Sequence, residues 1–265
     1  MTMQIVINNC SSPGASFTDN TNKVILSCYE WVTEHSGEIK PFIEFRREVS
    51  AAKGFNDNNA RNIYPLLQNV GFIRYEKGVD LVYNQFFTSN GKAYAKTIET
   101  EFLILHSEYE PHEKERAIKK LKQIRETLIY QGLVQLLSSE TNYSNEMLKC
   151  LAFLLDFHKI SKPEFAYLLY AMSESIDKDV MKKDISLYRN NDISFDITVS
   201  VRNDIELRER TGNRNRKEGL SFLTSYSYFC GLFEQAGLIV KLDSDYYSIA
   251  SGKEDKIKKL LEVRV

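Results

Sequence analysis

Asparagine and arginine are the side chains best suited to reading base edges, Asn through a paired contact with adenine and Arg with guanine, while Lys serves phosphates. Two stretches of this chain concentrate them. The first holds Asn56, Asn58, Asn59, Arg61 and Asn62, preceded by Arg46, Arg47 and Lys53. The second runs from Arg202 to Lys217. It carries Arg208, Arg210, Asn213, Arg214, Asn215, Arg216 and Lys217 against Asp204, Glu206 and Glu209. Arg74 and Lys77 add two cations just after the first stretch. Each cluster also has a plainer reading. Asn-rich segments make loops and N-caps, and mixed-charge runs make solvated surface. The basic stretch from Lys114 to Arg125 reads as the solvated face of a linker, because Glu113 and Glu115 dilute it.

Patterns that would carry catalysis are sparse. His35, His106, His112 and His158 show no metal-ligand spacing, and Cys10, Cys28, Cys150 and Cys230 lie far apart with no CxxC pair. No P-loop, G-x-S-x-G or G-x-G-x-x-G is present. A metal-dependent nuclease would need an Asp and an (Asp/Glu)-x-Lys triplet on adjacent strands, so that carboxylates hold Mg²⁺ near the scissile phosphate. Glu38-Ile39-Lys40 and Glu254-Asp255-Lys256 match the triplet. No proline precedes an aspartate, and both triplets fall where helices are expected to start, so they read as capping and surface charge. No catalytic residue, metal site or cofactor is expected in this chain.

The net charge is −1, which argues against a protein that coats nucleic acid through excess cation. Specific recognition depends on where the cations sit, not on their sum. No apolar run approaches the ~18–20 residues of a membrane span, and the N-terminus lacks the basic start of a secretory signal. A cytoplasmic location without membrane contact is the expectation.

The elements that must position the clusters follow from periodicity. Residues 1–20 are a polar arm containing Ile5-Val6-Ile7. Val24, Ile25, Cys28, Tyr29, Trp31 and Val32 space a helix over 22–35, and Pro41 opens a second that ends near Gly54. A third helix buries Ile63, Leu66, Leu67 and Val70, with Pro65 in its first turn or at a kink, and Gly71 caps it. Phe72 to Tyr75, a turn at Glu76-Lys77-Gly78 and Leu81 to Phe87 make a hairpin, and Thr88 starts the next helix. Three helices, a hairpin and a helix are the winged-helix order.

A charged periodic helix over 111–132 then connects to a second half. There, helices are expected over 145–157, from Ser161-Lys162-Pro163-Glu164, over 178–188 and over 220–236. A strand from Gly237, a turn at Asp243-Ser244-Asp245, a strand over 246–249 and a last helix over 255–263 close the chain. Leu67-Gln68-Asn69-Val70-Gly71-Phe72-Ile73 and Phe233-Glu234-Gln235-Ala236-Gly237-Leu238-Ile239 match as helix, glycine, apolar pair. This internal repeat predicts a mainly α fold with short β-hairpins. It divides into an arm (1–20), a first winged-helix unit (21–105), a helical linker (106–140) and a second winged-helix unit (141–265).

The segment Phe157-His158-Lys159-Ile160-Ser161-Lys162-Pro163-Glu164-Phe165-Ala166 is similar to one in type IIS restriction and nicking endonucleases of the AlwI-like group. So is the stretch from Leu223 through Phe229-Cys230-Gly231-Leu232-Phe233 and Gly237-Leu238-Ile239 to Lys256-Ile257-Lys258-Lys259-Leu260-Leu261. The resemblance implies a DNA-recognition part of tandem winged-helix units, with recognition of a short asymmetric site. It also implies a separate nuclease domain or subunit, which would bring Mg²⁺; that half has no counterpart in this chain. The expected partner is double-stranded DNA, bound by a monomer, since two non-identical units suit an asymmetric site. Two alternatives stay open: a winged-helix module for protein contact or transcription regulation, and an intact endonuclease with an unrecognised site.

Overall fold

The computed structural model describes residues 1–8, 10–200, 220 and 223–264. The chain is mainly helical with small sheets, and it divides into two units. The N-terminal unit comprises Pro13–Ser139 and Gly231–Gly237; the C-terminal unit comprises Met1–Ser12, Glu140–Cys230 and Leu238–Val265. Among the described residues, no helix is long and apolar enough to cross a membrane.

The N-terminal unit begins with α1 (Asp19–Glu34), whose first turn is capped by the Thr18 hydroxyl accepting from the Thr21 amide. Its Val24, Ile25, Cys28 and Val32 are buried, as the spacing requires. A three-residue strand, β2 (Ile39–Pro41), leads into α2 (Phe42–Lys53). The expected third helix is two pieces, α3 (Asp57–Ala60) and α4 (Ile63–Asn69). Pro65 is the cause. It has no N–H to give the carbonyl four residues back, and its ring would strike that carbonyl at Arg61. The break between Ala60 and Ile63 puts Pro65 in the first turn of α4, where neither cost arises.

Gly71 follows with φ +69°, and the Phe72 amide turns back to the Leu67 carbonyl at 2.8 Å. The expected hairpin is shorter than its apolar residues suggest. Ile73 bridges Phe87, and β3 (Asp80–Val82) pairs antiparallel with β2, not with the strand before the turn. Between them, Tyr83–Phe86 form one helical turn, α5, because Tyr83 and Phe86 point three residues apart into the core and are both fully buried. Thr88 caps α6 (Ser89–Leu105), and α7 (Pro111–Ser138) packs along α6 and against α4. Gly132, the expected end of α7, lies inside it, against Val70. The core is aromatic: Phe45 meets Tyr83 and Phe86 edge to face, and Phe17, Phe72 and Tyr94 pack together.

In the C-terminal unit α8 (Ser144–Phe157) ends at His158, and β4 (Lys159–Ser161) leads directly into α9 (Lys162–Ser173). The capping box read from Ser161 and Glu164 forms, with the Ser161 amide donating to the Glu164 carboxylate at 2.8 Å. Beyond α10 (Lys178–Arg189) comes β5 (Ser194–Ser200), which the sequence pattern did not mark. It pairs in parallel with β1 (Thr2–Asn8), Thr2 opposite Ser194 through Asn8 opposite Ser200. Then α11 (Thr224–Gln235) is followed by β6 (Ile239–Lys241), β7 (Tyr246–Ile249) and α12 (Glu254–Leu261). The sheet order is β4-β7-β6, so the hairpin adds itself to the strand that opens α9.

A buried ion pair ties several elements of this unit together. Glu164 is fully buried and its second carboxylate oxygen accepts from Arg189 Nε at 2.6 Å. The same guanidinium donates to the Phe157 carbonyl at 3.0 Å and the Lys159 carbonyl at 2.8 Å. Arg189 thus ties the ends of α8 and α10 to β4 and the first turn of α9.

Burial also sets the reactivity of the thiols. It pushes the Cys28 thiol up to about 12, against a weaker opposing hydrogen bond from Tyr64, and burial raises Cys150 as well. Thiolate is the reactive form. In the native protein, Cys28 and Cys150 are therefore expected to resist iodoacetamide at mildly alkaline pH and to react once urea unfolds the chain. Mass spectrometry of labelled peptides checks this; native labelling of either at the denatured rate would contradict it.

Candidate nucleic-acid interface

The first cation and asparagine cluster lies on α2, α3 and the turn before α4, and its members divide in two. Arg46 is committed within the protein. Its Nε donates to Asp57 Oδ1 at 2.9 Å and a terminal nitrogen to Oδ2 at 2.5 Å, so the pair is bidentate. The guanidinium also stands 5.8 Å from the centre of the Tyr64 ring. Asp57 holds the Arg46 guanidinium even more firmly protonated than usual. Lys53 donates to Glu30 at 2.8 Å, with Glu34 at 4.0 Å. The Asn56 side chain accepts from the Asn58 amide at 2.9 Å and caps α3.

The other members face solvent. Arg47, Asn58, Arg61 and Asn62 are exposed, and their side chains have no polar partner among the described residues. Asn59 lies in α3 beside them. Arg74 and Lys77 are exposed after Gly71, on the segment that turns at Gly78. Its backbone is anchored: the Arg74 amide donates to the Phe86 carbonyl at 2.7 Å. The free group is therefore Arg47, Asn58, Arg61, Asn62, Arg74 and Lys77. Arg46 and Lys53 hold the elements that carry it. Arg208, Arg210, Asn213, Arg214, Asn215, Arg216 and Lys217 lie outside the described residues.

The two nuclease-like triplets are both tied into local structure. Lys40 on β2 is held between Glu38 at 2.9 Å and Glu48 on α2 at 2.8 Å. That contact lowers the Glu38 carboxyl, chiefly through the Lys40 hydrogen bond. It is a strand position with a salt-bridged lysine, not the helix cap that the sequence suggested. Glu254 and Asp255 occupy the first turn of α12, where acidic side chains offset the helix dipole. Among the described residues, no three His, Cys, Asp or Glu side chains gather as a metal site would require.

Structure adds a repeat that the sequence comparison overlooked. Ile39-Lys40-Pro41-Phe42-Ile43-Glu44-Phe45 and Ile160-Ser161-Lys162-Pro163-Glu164-Phe165 each run from a short strand into a helix. Each ends on a phenylalanine that is 0% exposed, Phe45 and Phe165. In each, the strand pairs antiparallel with one that follows a left-handed glycine, Gly71 or Gly237. The signal was present as two Ile…Pro…Glu…Phe runs, but their different spacing hid it from a fixed-offset comparison. No family model, curated protein or solved structure matches this chain.

Proposed function

We propose that this chain recognises a short sequence in double-stranded DNA through two winged-helix units, as the target-recognition part of a type IIS restriction endonuclease. The observation that carries the reading is the recurring succession in both halves. A helix, a three-residue strand and a second helix lead to a helix that ends on a left-handed glycine. A returning strand then pairs with the early one, and a further helix closes the unit. In a winged helix the helix before that glycine enters the major groove, and the hairpin flanks it as the wing. On this reading Arg47, Asn58, Arg61 and Asn62 approach base edges and phosphates ahead of α4, with Arg74 and Lys77 on the wing. Arg208, Arg210, Arg214, Arg216 and Lys217 precede α11 in the sequence and supply further cations for contact with DNA. Cleavage belongs to a nuclease domain or subunit elsewhere, and the recognition part binds as a monomer.

Selection from a random duplex pool at low salt tests this, and an enriched asymmetric site is the expected result. With that site in hand, Arg61→Ala is expected to weaken binding by about 1–3 kcal/mol if it reads a base. Lys77→Ala is expected to weaken all sequences alike and to lower the salt slope by about 0.9. Gel shift and fluorescence anisotropy over a salt series measure both. A pool that returns no preferred sequence would sink the reading.

A second reading, a winged-helix module for protein contact, is favoured by one patch. Phe102, Leu103 and Leu105 near the end of α6 are each more than half exposed, as is Tyr109. Under that reading Leu103→Glu removes partner binding and leaves any DNA affinity unchanged, whereas Arg61→Ala does nothing to the partner.

A further inference from the structure

The C-terminal unit contains a concavity of about 430 Å³ that none of the sequence patterns singled out. Four elements build it: the start of α9, the end of α10, the first turns of α11, and the hairpin β6–β7. Lys162 and Lys241 both line it, Tyr188 and Tyr246 supply half-buried ring surface, and Ser227 and Asp245 add to the polar lining. Its volume falls within the ~300–1,000 Å³ range typical of small-molecule sites.

Its chemistry is uneven. The Lys162 ammonium has no hydrogen-bond or ion-pair partner among the described residues, and partial burial holds it below the usual lysine range. Lys241 is exposed and its ammonium makes no hydrogen bond among the described residues; the Asp243 carboxylate, which it helps to lower, is already engaged by the backbone amides of Asp245 and Tyr246 at 2.8 Å each. The half-buried Lys162 ammonium, with no carboxylate bonded to it among the described residues, carries a cost that a bound anion would reduce.

The rings are held rigidly on their protein side. Tyr188 stacks on Phe195 at 4.2 Å and 3°, and Lys159 sits over Tyr246 at 4.1 Å from its centre. Aromatic surface beside two lysines without a bonded carboxylate among the described residues suits a planar base attached to a phosphate. Asp245 offers a carboxylate, which accepts from an exocyclic amine and repels a base edge made only of acceptors.

We propose that this pocket takes a single unstacked nucleotide, its base against the Tyr246 and Tyr188 rings and its phosphate between Lys162 and Lys241. The base it favours carries an exocyclic amine that Asp245 accepts from. The nucleotide is either an extrahelical one in bound DNA, which rests on the DNA reading above, or a free nucleoside monophosphate. The shared chemistry is the same, and the test separates the two sources.

Binding is measured by fluorescence anisotropy to a duplex with one unpaired cytidine, to the same duplex fully paired, and to one with an unpaired thymidine. Calorimetry measures free dCMP. Wild type is compared with Tyr246→Ala and with the Lys162→Ala/Lys241→Ala pair, after circular dichroism and thermal melts confirm that each folds. A second stacking variant, Tyr246→Phe, keeps the ring and should retain binding.

The expected result is about tenfold tighter binding to the cytidine bulge than to the paired duplex, with thymidine weaker. Tyr246→Ala and the double lysine variant should lose that preference while still binding paired DNA. Binding of dCMP alone, lost in the same variants, supports the pocket with a free nucleotide as its ligand. If no duplex binds while dCMP does, the DNA reading fails and the pocket stands. If paired DNA binds, the bulge brings no gain and dCMP does not bind, the pocket proposal is overturned and the DNA reading survives. Equal loss of paired-duplex binding in the variants would also overturn it, since the pocket would then be an ordinary backbone contact.

Discussion

Gly91→Ala is expected to destabilise the N-terminal unit by about 3 kcal/mol or more, beyond the usual range for a surface change. Gly91 is the third residue of α6, and its amide donates to the Thr88 hydroxyl that caps the helix. A Cβ there would lie 1.9 Å from the Phe72 carbonyl oxygen and 2.8 Å from its carbon. The obstacle is backbone, so no side-chain rotation relieves it. Nor can Phe72 retreat freely. Its carbonyl accepts from the Thr88 amide at 3.0 Å, and the Thr88 hydroxyl donates to the Gly71 carbonyl at 2.7 Å. The cap of α6, the glycine that ends α4 and the start of the hairpin are therefore one joint, and the extra methyl must open it. Gly37→Ala is the control. That glycine is exposed with nothing within 4 Å of the added carbon, and a change within about 0.5 kcal/mol is expected. Urea unfolding of both variants measures the difference. Equal stability of the two would show that the joint is looser than its hydrogen bonds indicate.

Arg189→Met is expected to cost about 3–5 kcal/mol, the range for breaking a buried ion pair from one side. It leaves the Glu164 carboxylate fully buried without its counter-ion, and it strips donors from the Phe157 and Lys159 carbonyls. Glu164→Gln should cost less. The amide oxygen can still accept from the Ser161 amide, and Arg189, about one fifth exposed at its side chain, can turn towards water. The double variant should be more stable than the sum of the two losses, because the unpaired buried charge is then absent. A coupling near zero in that cycle would mean that the two side chains contribute independently. The measurement needs only chemical denaturation of four proteins, and it reads the C-terminal unit without any assumption about ligands.

Local signals were largely legible. Thr88 and Ser161 cap helices as their spacing suggested, and Gly71 and Gly237 adopt positive φ where a helix gives way to an extended pair. These are short-range hydrogen bonds and steric limits, settled within four residues, so a sequence can display them. The split between α3 and α4 was half legible: Pro65 announced it, but its placement followed from where Asn56 could cap and which residues had to face the core. The short strands β2 and β4 were not legible. Three residues are too few to show alternation, and each exists only because a later strand supplies its hydrogen bonds.

The candidate site was less readable than the fold. A sequence shows that Arg46, Arg47, Lys53 and Arg61 are cationic, but not which of them face an acid. Asp57 claims Arg46 and Glu30 claims Lys53, while Arg47 and Arg61 remain exposed. The pairing partners lie on other elements, so the choice is tertiary.

The two clusters of asparagines and cations, and the lack of any recognisable catalytic pattern, were the sequence's own contribution. So were the helical character of the chain, its caps and its repeated glycine endings. Tertiary structure alone decided three further things. It joined β1 to β5, 192 residues apart along the chain. It buried Glu164 beneath Arg189, and it gathered Lys162, Lys241 and the tyrosines around one concavity. The reason is common to all three. Caps and turns are fixed by neighbours along the chain, whereas strand pairing, charge pairing and pocket walls are fixed by which distant surfaces burial brings together.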